Sequence, residues 1–367
     1  MKYRSILQIY FASCAAATCH ITHAAEVKFT KLGSERIVVN AVAEDEDKFA
    51  GMSVTNLHAI IADASGTHTP EEIKEFKGSV ITDIDPSNAH RVGFVSIAFD
   101  KNNPTMPSLQ AFSFADSEVE LLPFPDSIKS PWDDVRIKSR AEGLSDDGSV
   151  TVGCIEYGGR FQAIRWKDGT PEILTFPSSE FISSVAYDVS HDGSIVVGVC
   201  STKTEGSVAV IWEGEAVRII GEGMALETSA DGKHTIGVID RNDGKPTAML
   251  YSGGESIILE SLDGFTGSIP HSISNSGDVV VGQGVSGRSP SATLWLRALD
   301  YEPLDLNEVF SVEMKREEIP HMSSAKYISR DETSIYAICD GFDFAIYKIE
   351  VPKGYFTNYQ RSANKAE

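Results

Sequence analysis

Cysteine is scarce in this chain, with five residues in 367, and two of them, Cys14 and Cys19, stand in its first twenty-five positions. The other three, Cys154, Cys200 and Cys339, show no metal-ligand spacing. Cys154 and Cys200 fall one position out of register in neighbouring repeats, so their side chains face opposite ways, and small buried thiols are expected rather than a disulfide. Basic residues are also few, at 32 Lys and Arg against 53 Asp and Glu. Nucleic acid and anionic membrane surfaces are therefore not expected partners, because counterion release needs a basic footprint. No stretch reaches the eighteen apolar residues of a membrane span. Catalytic signatures are missing as well: there is no G-x-S-x-G elbow, no H-E-x-x-H, no phosphate-binding glycine loop and no zinc spacing. Asp188-Val189-Ser190-His191-Asp192-Gly193 begins like a calcium loop, but Val199 stands where the closing bidentate Glu belongs, so a hairpin is expected there. No cofactor and no metal is expected.

The N-terminus has a basic start at Lys2 and Arg4, a Ser5–Cys19 stretch almost free of charge, and small residues before Glu26. That order predicts a Sec-type signal peptide over residues 1–25, cleaved after Ala24 or Ala25. The alternative is lipoprotein processing at Cys14 or Cys19, since Phe11-Ala12-Ser13-Cys14 faintly resembles a lipobox. Loss of Lys2 and Arg4 leaves 30 basic and 53 acidic residues in the mature chain, the acidic surface of an exported soluble protein.

What the chain does contain is a repeat. Val185–Trp212 holds a strand ending in a Ser-x-Asp-Gly turn, a second strand Ser194–Val199, a polar loop and a third strand that closes on Trp212. Glu213-Gly214-Glu215 then turns into a fourth strand, Ala216–Ile220. The same phrase recurs at Ser145–Gly153 with Ala163–Trp166, at Ser229–Gly237 with Ala248–Tyr251, and at Ser274–Gly282 with Ala292–Trp295. Weaker copies lie at Ala43–Gly51, Asp85–Gly93 and Ser329–Ala337. The residues ending the second strands, at positions 51, 93, 153, 198, 237, 282 and 337, mark seven units in steps of 39 to 60 residues.

The phrase S-x-D-G-x-x-V-V-G, a loop and then A-x-x-W resembles the bacterial extracellular HAF repeat family, as does Leu304-Asp305-Leu306-Asn307 before a last degenerate copy. The likeness covers residues 41–347, with Ala-x-x-Trp or Ala-x-x-Tyr in place of the family's His-Ala-Phe. It implies an extracellular setting. Some members of the family are surface autotransporters, but no large C-terminal membrane barrel follows here.

A unit of under fifty residues cannot bury a core alone. Runs such as Ile195-Val196-Val197 and Val279-Val280-Val281 are continuously apolar, so both faces of each sheet must be covered. These properties predict an all-β, seven-bladed β-propeller over residues 26–352, followed by a polar tail at 353–367. Outer strands are expected at Glu72–Phe76, Glu118–Phe124, Glu172–Phe176, Ala216–Ile220, Ser256–Ser261 and Glu302–Leu306. The last blade lacks one, and the mature N-terminus, Glu26–Gly33, is expected to supply it and close the ring. An open β-solenoid and a six-bladed ring are the alternatives. The aromatics Phe114, Trp166, Trp212, Tyr251, Trp295 and Tyr347 are read as wedges between blades.

Chain direction puts the second-to-third strand loops and the blade-to-blade connections on one face of the disc. The long insertions 94–110, 125–142 and 307–325 all belong to that set. Candidate ligand contacts on this face are Trp132, Asp133, Asp134, Arg136, Arg160, Arg241, Arg288, His271 and His321. Asp146, Asp192 and Asp231 recur by repeat and are read as turn devices; no catalytic residue is assigned. The expected function is that of an exported, monomeric binding scaffold for a protein or glycan. A propeller hydrolase or lyase, or a component of an envelope assembly, is the alternative.

Overall fold

The computed structural model describes residues 27–33, 37–63, 65–97, 108–115, 118–128, 137–204, 206–240, 244–287, 289–340 and 345–359. It contains seven four-stranded antiparallel sheets, six of them built from consecutive strands. The protein is a seven-bladed β-propeller. The inner strands are Ile37–Ala43, Ser79–Ile84, Lys138–Leu144, Phe181–Val189, Met224–Thr228, Gly267–Ile273 and Met322–Ile328. We number the blades in that order.

The seventh sheet carries the closure. Its order runs from the inner strand Met322–Ile328 through Ser334–Cys339 and Ala345–Glu350 to the N-terminal strand Lys28–Gly33. Lys28 pairs with Glu350 and Phe29 with Ile349, so the start of the chain forms the outer strand of the last blade, as its sequence predicts. Blade 1 grips the same blade: the Asp47 carboxylate accepts from Tyr336 Oη at 2.8 Å and from Lys348 Nζ at 2.6 Å.

Apolar clusters fill the spaces between blades. Val150, Val152 and Ala163 of blade 3 meet Val189, Val196 and Trp212 of blade 4 in one of them. The repeat aromatics act as the expected wedges, and four of them are pinned by a hydrogen bond to the blade before them. The indole N–H groups of Trp166, Trp212 and Trp295 donate to the carbonyls of Pro123, Thr175 and Glu260, and Tyr251 Oη donates to the Glu222 carbonyl. Phe114 is also buried, while Tyr347 is half-buried. Cys154, Cys200 and Cys339 are free and buried.

The Ser-x-Asp-Gly turns share one wiring. Ser190 Oγ accepts from Ile195 N at 3.0 Å and donates to Asp192, and Asp192 accepts from Ser194 N at 3.0 Å, while Gly193 takes the positive φ of 73°. The equivalent in blade 3 is Asp147, which accepts from Ser145 and Ser149. The reading of Asp146 as a turn residue is therefore corrected: it stands in the place of His191 and serves elsewhere.

Two further differences concern blade 1 and the C-terminus. The outer strand of blade 1 is Gly66–His68, directly after the third strand, whereas Glu71–Ile73 is a 3-10 turn following Pro70. Ile73 is buried there. Residues 352–359 turn back on the disc. Phe356 is buried, and Tyr355 stacks on Phe310 with ring centroids 6.1 Å apart. Phe310 itself lies between the short helices Leu306–Val309 and Ser311–Arg316 on the blade 6 to 7 connection. Asn307 ties that connection down, donating to the Met322 carbonyl at 3.0 Å and accepting from Met322 N at 2.7 Å.

Candidate functional site: the central funnel

Every inner strand breaks register at the same place, and those of blades 4 and 7 break it a second time nearer their start. The breaks fall between Val39 and Ala41, Ile81 and Asp83, Ala141 and Gly143, Ala186 and Asp188, Ala225 and Glu227, Pro270 and Ser272, and Ala325 and Tyr327. A β-bulge inserts one unpaired residue and re-aims its side chain. Here the seven inserted residues are Asn40, Thr82, Glu142, Tyr187, Leu226, His271 and Lys326, and all line one central cavity of about 440 Å³. Each stands eleven positions before its second-strand marker, from Asn40 and Gly51 to Lys326 and Ala337.

Bulge and marker are physically linked. A Cβ added to Gly51, Gly93, Gly153, Gly198, Gly237 or Gly282 would meet an inner-strand carbonyl oxygen, that of Val38, Val80, Arg140, Val185, Met224 or Ile269, at 1.8 to 2.2 Å. The bent inner strand occupies the space a side chain would need. In these six blades the repeated glycine leaves room for the bulged strand, whereas blade 7 carries its bulge opposite Ala337.

The residues around the bulges stitch blade to blade. Asn40 Nδ2 donates to the Ile81 carbonyl at 2.8 Å, and Thr82 Oγ1 donates to the Ala141 carbonyl at 2.8 Å. One position on, carboxylates do the same work. Asp83 accepts from Leu144 N at 2.7 Å, Asp188 from Thr228 N at 2.8 Å, and Glu227 from Ile273 N at 3.2 Å. Loss of water on burial dominates their acidity. It pushes Asp188 up to about 6 and lifts Asp83 and Glu227 well above the usual carboxylate range, outweighing the N–H donors that favour the ionised form.

At the turn-bearing end, a polar cluster crosses the channel mouth. Arg330 of blade 7 makes a two-pronged contact with Asp146 of blade 3, one prong at 2.6 Å, and Asp146 also bonds His191 Nδ1 of blade 4 at 2.6 Å. Glu44 of blade 1 accepts from Tyr327 Oη at 3.0 Å and from Arg330 N at 3.2 Å. Burial alone would raise Asp146, yet its bonds to Arg330 and His191 hold it below the usual range. The channel is thus a funnel, spanned by Arg330 at one end and lined by the bulge ring toward the loop-bearing face.

Lys326 stands out in that ring. Its Nζ lies 3.2 Å from His271 Nε2, and among the described residues no carboxylate is paired with it. Burial brings the ammonium down to about 8. Burial and the neighbouring Lys326 charge push His271 down to about 3, so its ring is neutral and can accept from the ammonium. Opposite, Glu142 is raised by burial, which outweighs Arg140 Nε at 3.4 Å. Burial, with Glu142 adding to it, also raises the Tyr187 phenol.

Of the residues predicted from sequence, His271 lies in this ring, inside the strand Gly267–Ile273. His321 precedes its inner strand on the loop face, half-exposed, with Nδ1 at 3.7 Å from Asp340. Arg160 is exposed at the two-glycine turn of blade 3. Trp132, Asp133, Asp134, Arg136, Arg241 and Arg288 lie outside the described residues. The structure does not bring the predicted residues it describes into one site. Among the described residues, no group of three or more His, Cys, Asp or Glu is placed to hold a metal ion, and no helix is long and apolar enough to cross a membrane.

No protein-family model matches the chain, and no curated protein matches it in sequence. Solved structures do resemble it. An oligogalacturonate lyase from Vibrio parahaemolyticus is 13% identical with a TM-score of 0.55, over 90% of this chain and 95% of that one. An oligogalacturonate lyase in complex with manganese is 11% identical with a TM-score of 0.51, over 89% and 91%. TolB from Acinetobacter baumannii is 14% identical with a TM-score of 0.45, and this chain spans 62% of its length. Likeness at these identities is one of fold, and the class it supports is the β-propeller.

Proposed function

We propose that the protein is an exported binding scaffold, of the kind the HAF-like repeats imply, that recognises a protein or glycan through its loop-bearing face. One observation carries the reading. The two most exposed large apolar side chains among the described residues, Val312 at 73% and Leu57 at 57%, both stand on that face, with Val54 close to Leu57 in sequence. Leu57 is moreover held at a φ of 60°, a conformation rare for a branched residue. Apolar side chains kept in water around an open funnel suit contact with a partner. The test is binding of the mature chain to a glycan array and to isolated cell-surface proteins. Leu57→Ser, Val312→Ser and replacement of 129–136 by a Gly-Ser linker, which leaves the inner strand Lys138–Leu144 intact, are measured beside the wild type. Loss of the bound species in these variants supports the reading, and binding that survives all three contradicts it.

A propeller hydrolase or lyase is the second reading, favoured by the convergence of Glu142, Tyr187, His271 and Lys326 from four blades on one cavity. Incubation with oligogalacturonate, with and without manganese, tests it. Product formation abolished by Glu142→Gln would establish it, and an unchanged substrate would count against it.

A further inference from the structure

The geometry points to a binding site for a small, hydroxyl-bearing monocarboxylate inside the funnel, with the carboxylate on the Lys326 ammonium and the hydroxyls toward Glu142 and Tyr187 across the ring. The cavity of about 440 Å³ is of a size that encloses such molecules. An ammonium taken out of water without an anionic partner is costly, and the neutral His271 ring does not offset that cost. With its pKa at about 8, Lys326 is still mostly charged at pH 7. A ligand carboxylate placed there supplies the missing counter-ion.

The rest of the ring narrows the chemistry. Asn40 and Thr82 are already bonded to the carbonyls of neighbouring blades, so they form wall. Asp83, Asp188 and Glu227 are engaged with backbone N–H groups of the next blade. Glu142, whose one ion-pair partner among the described residues is Arg140 of its own strand at 3.4 Å, and Tyr187, on blades 3 and 4, remain to meet the far end of a ligand whose near end is on blade 7. A second negative charge would meet Glu142, which disfavours dicarboxylates and phosphates, whereas hydroxyls can both donate to and accept from these two groups. This site is independent of the loop-face contacts proposed above, because it uses only inner-strand residues and a small ligand.

The experiment is calorimetric titration of the mature chain at pH 7 with gluconate, glycerate and lactate, and with sorbitol as the uncharged match to gluconate. Gluconate is expected to bind at least tenfold more tightly than sorbitol, and to protect Lys326 from acetylation by acetic anhydride as read by mass spectrometry. Lys326→Met is expected to lose the gluconate signal while melting no lower than the wild type, since it removes an unpaired buried charge. Glu142→Gln is expected to narrow the preference for gluconate over lactate. The assignment is overturned if none of the three acids binds, if sorbitol binds as well as gluconate, or if Lys326→Met leaves gluconate affinity unchanged. Neither loop replacement nor Leu57→Ser should alter these results, so failure here and failure of macromolecular binding are separately visible.

Discussion

Substituting Ala for Gly198 tests the link between bulge and marker most sharply. The added Cβ would lie 2.1 Å from the Val185 carbonyl oxygen, with the Trp212 ring and Ala186 Cα each 3.0 Å away. Carbon and oxygen approach to about 3.3 Å without strain, so the inner strand must withdraw by about 1 Å. Backbone cannot rotate aside as a side chain can. The pairs Val185–Val199 and Ala186–Gly198 would stretch, and the bulge that aims Tyr187 into the funnel would be displaced. The cost falls at the upper end of overpacking, about 3 kcal/mol. For a chain of this size that corresponds to a fall in melting temperature of about 5 °C. Urea unfolding and thermal melts followed by circular dichroism give the answer, with Gly287→Ala, whose Cβ would meet nothing within 4 Å, as the control near zero. If Gly198→Ala is as stable as that control, the close approach has been misread.

Other substitutions probe other joints of the ring. Trp212→Ala removes a buried wedge and its bond to Thr175, and should cost about 3–5 kcal/mol in urea unfolding; a melting point unchanged by it would refute inter-blade packing at that ring. Asp188, at about 6 when folded against about 3.9 unfolded, holds its proton more tightly in the native protein, so its stabilising effect is full below pH 4 and fades as pH rises through 6. Asp188→Asn should therefore gain about 1 kcal/mol relative to wild type between pH 5 and pH 7, a difference that His271, titrating in both proteins, does not affect. Equal urea midpoint differences at the two pH values would contradict this. Arg330→Met strands Asp146 at a partly wet mouth and should cost about 1–2 kcal/mol, less at high salt, as checked by melts in low and high sodium chloride.

The repeat made the blades legible because the same residue types recur where most blades have the same need: glycine under the bulge, Ser and Asp at the turn, an aromatic at the wedge. The funnel was illegible for the opposite reason. Its seven positions stand at one fixed offset from the markers, but they hold Asn, Thr, Glu, Tyr, Leu, His and Lys, so a search for recurring residues passes over them. An offset of eleven residues, read for variation instead of identity, was the available signal. Blade 1 deceived in another way: Ile73 and Phe76, three apart after Pro70, form a turn that packs two apolar side chains, and a strand pattern was read into it. Asp146 was grouped with Asp192 and Asp231 because two aspartates adjoin, and only the hydrogen bonds separate Asp147, the turn residue, from Asp146, the partner of Arg330. Phe356 was passed over in a stretch dominated by polar residues, although its ring fills the core beside blades 6 and 7.

The central claim is an exported propeller closed by the first strand of its mature chain, and the N-terminus of the cell-made protein tests it. Val27 is buried and Lys28 already pairs with Glu350, so little can be trimmed beyond residue 26 without opening blade 7. Fractionation of cells followed by N-terminal mass spectrometry should recover the protein outside the cytoplasm, beginning at Ala25 or Glu26. Recovery in the cytoplasm with Met1 retained, or a stable exported form that begins after Leu32, would contradict the account.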